Sequence, residues 1–193
     1  MTEVSVLKPG SLIRDESGNV LDARSSVTLV TSGIRKIVVD TGLQGEEGLI
    51  TYALAKKGLE PQDIDTVIST HTHPDHCGND HLFPCALRSV PADGEILAAG
   101  VWAMATPGHT MDSVSIVVEV TKSANIKGGI IVIAGDALPT LNNFLKGVPP
   151  ALHVDRNLAV SSMSRIIELA DIIVPGHDKP FSVAEGKYIK LEN

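Results

Sequence analysis

Aromatic side chains are nearly absent: Phe, Trp and Tyr together make up 3% of the 193 residues. The core must therefore be packed from Val, Ile, Leu and Ala, within a hydrophobic fraction of 43%. That composition suits an α/β protein with buried strands. Cysteine is scarce as well. Cys77 and Cys85 stand eight apart with no C-x-x-C spacing, which excludes a disulfide framework and a zinc ribbon and fits a reducing, cytoplasmic setting. A chain of this length buries roughly 70% of its unfolded surface, so it needs no disulfide to hold a core. No apolar run approaches the ~20 residues that cross a bilayer, so no membrane partner is expected. The stretch from Met1 to Ser5 lacks a charged segment followed by an apolar one, so no signal peptide is expected. Basic runs are missing too: none exceeds two residues (Arg35-Lys36, Lys56-Lys57), and the net charge is −7. Such a surface repels polyanions at long range, which disfavours RNA or DNA as a partner unless a basic groove is hidden within the acidic mean.

What is present is an alternation of strand and helix signals. Residues 26–31 and 36–39 are β-branched runs separated by Ser32-Gly33, a hairpin signature. A helix is predicted over 46–57, with Leu49, Ile50, Ala53 and Leu54 on one face and Gly58 and Pro61 as its stop. Further strands are expected at 65–70, 95–105, 113–120 and 129–134. The proline-rich stretch 138–152 reads as a loop. A helix over 156–170 should bury Val160, Met163, Ile167 and Ala170, and a last strand should cover 172–174. Two apolar strands end alike in an acid, at Asp40 and at Asp136. The pattern predicts one domain over 1–193, made of two similar halves packed face to face, each with an outer helix layer.

The chemistry concentrates in His71-Thr72-His73-Pro74-Asp75-His76. A His-rich hexapeptide can be a plain surface loop. Four potential ligands directly behind a buried strand, however, are costly unless something compensates their polarity. Alternation brings His71 and His73 to one side of the chain, to one metal, and leaves Asp75 and His76 for a second. Pro74 restricts the backbone between the pairs. His109, Asp136 and His177 each follow an apolar strand, next to glycine. Sites in α/β sheets gather at the carboxyl ends of strands, so four strand ends would meet at one place.

On these motifs the sequence resembles the metallo-β-lactamase superfamily over nearly its whole length. The segments 101–109 and 174–181, with His81-Leu82-Phe83-Pro84, are most similar to the subgroup of metallo-β-lactamase domain-containing protein 1. The resemblance implies a four-layer αββα sandwich with the site at one edge. It implies that His71, His73 and His109 hold a first metal, that Asp75, His76 and His177 hold a second, and that Asp136 bridges both. Asp40 matches the family's structural acid. Homodimers are common in the superfamily.

Ligands of this kind suit two zinc ions per chain, with iron or manganese tolerated by the same set. Two such ions about 3.5–4 Å apart clamp a water and lower its pKa towards 7, yielding hydroxide that attacks a carbonyl or phosphoryl centre. Asp75 is placed to orient that water or take its proton. The resemblance disfavours the zinc β-lactamases that carry a cysteine where Asp136 stands. Only 32 residues separate His76 from His109, so an open cleft and a small substrate are expected: an ester, thioester, lactone or amide. Cleavage of RNA is the alternative, and iron redox chemistry of the persulfide dioxygenase type is a further one. Flavodiiron proteins usually place Glu where His73 stands. Cys77 reads as a small buried thiol and His81 as a structural or surface residue. His153 reads as a polar residue near a helix start. Lys146 and Arg156 are the nearest basic candidates for an anionic substrate group. Specificity is expected from residues 43–47, 80–92 and 138–152.

Overall fold

The protein is described by a computed structural model covering residues 1–120 and 129–191. Strands β1 (Thr2–Lys8), β2 (Ser11–Arg14), β3 (Val20–Arg24), β4 (Val27–Ser32) and β5 (Arg35–Val39) precede helix α1 (Glu47–Lys56). Next come β6 (Thr66–Ile68), the helical turn α2 (Pro74–Cys77), β7 (Leu87–Ser89), β8 (Ile96–Ala98), β9 (Val101–Ala105), β10 (Val114–Val120) and β11 (Gly129–Gly135). Helices α3 (Leu141–Lys146) and α4 (Arg156–Leu169) lead to β12 (Ile172–Pro175), β13 (Phe181–Ser182) and β14 (Lys187–Tyr188). One sheet runs β1-β4-β5-β6-β7 and the other β14-β13-β12-β11-β10-β9-β8, while β2 and β3 form a separate hairpin. Only β5/β6, β6/β7 and β11/β12 pair in parallel among the described residues.

Side-chain parity explains the layering. Successive residues of a strand point to opposite faces. On β10 and β11, Val114, Ile116, Val118, Ile131 and Ile133 face the first sheet, whereas Val117, Val132 and Ala134 face outwards. On β4 and β5, Val30, Ile37 and Val39 meet them from the other side, while Leu29 and Val38 turn outwards. Ile50 and Leu54 of α1 cover the outer face of the first sheet. Met163 and Ile166 of α4, with Leu141 of α3, cover that of the second. The result is the expected four-layer αββα sandwich.

Several expectations need correction in detail. The run 95–105 is two strands, broken at Gly100, whose φ of 72° makes the turn. The stretch 138–152 contains α3, whose N-terminus is capped by the Thr140 hydroxyl accepting from the Asn143 amide and whose end is Gly147 in the left-handed region. Six residues between prolines leave too little periodicity to see. On α1 the buried pair is Ile50 and Leu54, with Leu49 exposed. On α4 the expected Met163 and Ala170 are buried, but Ala159 and Ile166 take the places of Val160 and Ile167, with Ser162 beside them.

The topology brings the carboxyl ends of β5, β6, β9, β11 and β12 to one edge. There the sheets are tied together by backbone: Ser26 N donates to Gly176 O at 2.7 Å, and Val114 N to Thr70 O at 2.8 Å. Among the described residues, no helix is long and apolar enough to cross a membrane.

Candidate metal centre

The site is assembled from Asp40 outwards. Asp40 directly follows β5 at φ 58°, the one non-glycine residue of positive φ among those described. Asp tolerates that region better than most residues. The conformation turns its buried carboxylate under the loop after β6. There it accepts from Thr70 N at 2.7 Å, Thr70 Oγ1 at 2.9 Å and His76 Nδ1 at 2.8 Å. With Nδ1 donating to Asp40, His76 turns Nε2 towards the cleft, where loss of its proton leaves the lone pair that a metal would take. His109 and His177 are fixed in the same way, by main chain: His109 Nδ1 donates to Leu152 O at 2.7 Å and His177 Nδ1 to Arg24 O at 3.1 Å. Pro74 opens α2, so the chain turns helical directly after His73 and carries Asp75 and His76 on one turn.

All seven sequence-predicted residues come together here. His73 Nδ1 lies 2.9 Å from His71 Nε2 and 3.0 Å from His109 Nε2. Asp75 Oδ2 lies 3.6 Å from His177 Nε2 and 3.9 Å from His76 Nε2. Asp136 stands between the two groups. Its Oδ2 is 3.4 Å from His109 Nε2, and its Oδ1 is 3.4 Å from His76 Nε2 and 3.1 Å from His177 Nε2. Gly176 makes this packing possible, since a Cβ there would run into the Asp136 carboxylate and the Gly135 carbonyl.

The electrostatics are those of a cation site. Burial drives the His71 imidazole down to about 2, and the neighbouring His76 adds to the effect. Burial would also lower His76, but Asp40 and Asp136 outweigh it and raise His76 well above the ordinary value. His177 is raised too, its bond to Asp136 overcoming burial. Burial pushes the Asp136 carboxyl up, yet His177 and His76 hold it well below the usual carboxylate range. A buried carboxylate thus demands positive charge, which imidazolium protons or a metal can supply. Two of the site's own buried polar atoms, His76 Nε2 and Asp136 Oδ1, have no hydrogen-bond partner. Three donor groups, His71/His73/His109, His71/His76/Asp136 and Asp75/His76/His177, each draw their ligand atoms within 4.8 Å of one another. Imidazole and carboxylate donors in that arrangement suit a divalent metal.

A cavity of about 290 Å³ opens over the centre, lined by His73, Asp75, His109, Asp136 and His177. Its walls are the β2–β3 hairpin (Leu12, Arg14, Val20, Ala23) and the segment from Val148 to Leu152. Of the three stretches expected to set specificity, only 138–152 reaches it. The hairpin was missed. Neither basic candidate, Lys146 or Arg156, lines this cavity, whereas Arg14, which was not among them, does. Cys77 is partly buried rather than buried; its thiol donates to His73 O, and burial raises its pKa. His81 is exposed, 3.9 Å from Glu47. His153 donates to Pro150 O at 2.7 Å and props the cavity wall, while Asp155 caps α4. The carbonyls of Leu152 and Arg24 could not be read beforehand, because a main-chain acceptor has no residue signature. Thr70 had a visible position, directly before the His-rich run.

A family model described as the metallo-beta-lactamase superfamily matches residues 22–87. A probable metallo-hydrolase of Methanocaldococcus jannaschii is 34% identical over 186 residues, covering 91% of this chain and 86% of that protein. The chain belongs to the metallo-β-lactamase superfamily. It is a metal-dependent hydrolase of that superfamily, with His/Asp groups able to hold metal. Within the superfamily it resembles metallo-β-lactamase domain-containing protein 1, being 36% identical to the mouse protein over 177 residues, 82% of this chain and 65% of that one. The fold matches that of an N-acyl homoserine lactone hydrolase, solved with N-hexanoyl-L-homoserine at its catalytic metal centre. The TM-score is 0.65 at 24% identity, over 86% of this chain and 87% of that one.

Proposed function

We propose that this single-domain chain hydrolyses a small ester, thioester, lactone or amide with two zinc ions. His71, His73 and His109 would hold one ion and Asp75, His76 and His177 the other, with Asp136 shared. The observation that carries this reading is Asp136: a buried carboxylate between two imidazole groups, with one oxygen unpartnered. Bound divalent cations supply Lewis acidity, polarising the scissile carbonyl and lowering the pKa of a water.

The residues of the chain do the rest. Asp40, Leu152 O and Arg24 O fix three imidazoles with Nε2 inwards, so the donors need no reorganisation. Asp75 lines the cavity with a partly exposed carboxylate. It orients the attacking water and takes its proton, which then passes to the leaving oxygen, sulfur or nitrogen as its bond to the carbonyl carbon breaks. Leu12, Val20 and Leu152 form apolar walls that exclude bulk water and seat an acyl group. The name of the lactone hydrolase neighbour supports a carbonyl substrate. Cleavage of an RNA phosphodiester is the second reading, favoured by the basic residues beside the centre (Arg14, Lys146, Lys179) and opposed by the net charge of −7.

The test is metal content together with chelator-sensitive cleavage of a thioester and lactone panel and of a short RNA. Near two zinc ions per chain, with ester but not RNA cleavage, is expected. RNA cleavage abolished by Asp75→Ala would replace this reading with the second. One iron per chain with neither hydrolysis would overturn both.

A further inference from the structure

A second cavity, about 610 Å³, adjoins the one over the metal centre, and the two share Leu12, Arg14, Asn143, Val148 and His177. Their chemistry differs. The first is mainly apolar beyond the metal ligands. The second is lined by Arg14, Lys146 and Lys179, together with the polar side chains of Ser11, Thr140 and Asn142. These three cations come from three separate segments: β2, the last turn of α3, and the connection between β12 and β13.

One carboxylate lies among them, and it is already engaged. Asp178 Oδ2 accepts from Tyr188 Oη at 2.9 Å and Leu141 N at 3.2 Å, and its Oδ1 accepts from Lys179 N at 2.8 Å. Among the described residues, none of the ion pairs involves Arg14, Lys146 or Lys179. The Arg14 guanidinium is held by its Nη1 donating to Gly18 O at 2.7 Å. Its remaining donors keep the planar fork that matches a carboxylate or phosphate. Asn143 steadies the wall between the cavities, donating from Nδ2 to Val148 O and Pro149 O at 3.1 Å. Three cations without an ion pair, against one carboxylate, leave a local excess of positive charge beside the metal centre of a chain whose net charge is −7, and that excess attracts an anionic group.

We infer that this second cavity is an anion subsite: the substrate carries a carboxylate or phosphate group, remote from the cleaved bond, that Arg14, Lys146 and Lys179 receive. The inference rests on the hydrolase reading above and narrows it to an amphiphile. Its apolar acyl part lies between the hairpin and the segment from Val148 to Leu152, and its anionic end passes Arg14 into the second cavity. The acidic net charge repels a longer polyanion.

The test has a binding arm and a kinetic arm. In the first, the ¹⁵N-labelled chain, metal-free and zinc-loaded, is titrated with methyl phosphate and with propionate. Saturable amide shifts are expected around Arg14, Lys146 and Lys179, and they should be lost in the double variant Lys146→Gln/Lys179→Gln. In the second, hexanoyl thioesters of 2-mercaptoethanol, 3-mercaptopropionate and 2-mercaptoethyl phosphate are compared. KM should be lower for the anionic thioesters by about fivefold per cation engaged, and the neutral-to-anionic KM ratio should collapse towards one in the double variant. The better anion identifies carboxylate or phosphate. No saturable shift from either anion, or equal KM for all three thioesters, overturns the inference. Anion shifts with no cleavage of these thioesters, nor of any ester, lactone or amide in the panel above, leave the subsite standing and refute the hydrolase reading. A short RNA that binds more tightly than both anions, with shifts spreading beyond this cavity, overturns the small-substrate assignment.

Discussion

Replacing Asp40 by asparagine isolates what one buried oxygen does for the metal centre. Asparagine also tolerates positive φ, so the turn at 58° survives. Its single side-chain oxygen can still accept from Thr70 N. Its amide then faces Thr70 Oγ1, which can rotate and accept, and His76 Nδ1, which cannot keep its proton against a second donor. His76 therefore shifts its proton to Nε2, the atom that points at Asp136. A hydrogen bond to a charged group contributes about 1.5–3 kcal/mol, and each 1.4 kcal/mol is about tenfold in affinity. The expected loss in zinc affinity is thus roughly ten- to hundredfold, the range found when such outer partners are removed. Competition with a chromophoric chelator measures it. Asp40→Ala should additionally lose about 3–5 kcal/mol in urea unfolding, because the buried imidazole is left without its partner. Unchanged zinc affinity in Asp40→Asn would refute the tautomer argument.

Four further outcomes follow from the structure. His76 and His177 have raised pKa values and must lose their protons to bind metal, whereas His71, held at about 2, has none to lose. Zinc binding should therefore release protons at pH 7 and tighten as pH rises above about 6.5, as calorimetry in buffers of different ionisation enthalpy would show; no proton release would contradict it. By linkage, the stability that those two histidines give the metal-free chain is complete below about 6.5 and fades above it. The His71 contribution runs the other way and fades as pH falls below about 6.5. Gly176→Ala should cost about 1–3 kcal/mol and weaken zinc binding, because the new methyl displaces the Asp136 carboxylate; an unaltered melting temperature and zinc affinity would contradict that. Ile116→Ala, fully buried between the sheets, should cost about 3 kcal/mol in urea unfolding.

The core strands and the candidate metal-binding residues were legible because their signals are local. Alternating or continuous apolar runs placed β4, β5, β10 and β11, and the spacing from His71 to His76 named a ligand set before any geometry. What escaped notice is non-local or short. The hairpin of β2 and β3 has exposed or half-buried residues throughout, so it lacks the apolar face that marks a strand. α3 is six residues long and framed by breakers. Lys146 is a basic residue with no motif around it. Its convergence with Arg14 and Lys179 depends on three chain segments meeting, which periodicity cannot report.

The two main-chain acceptors that aim His109 and His177 belong to the two walls of the substrate cavity, Leu152 on one side and Arg24 at the base of the hairpin on the other. Walls and ligands are thus one mechanical unit. An engineer who grafts a foreign loop at 148–152, or a new hairpin, to change substrate preference would also re-aim an imidazole. Viable grafts must restore a carbonyl at each of those two points, so the range of specificities this scaffold can reach is bounded by backbone register rather than by side-chain choice.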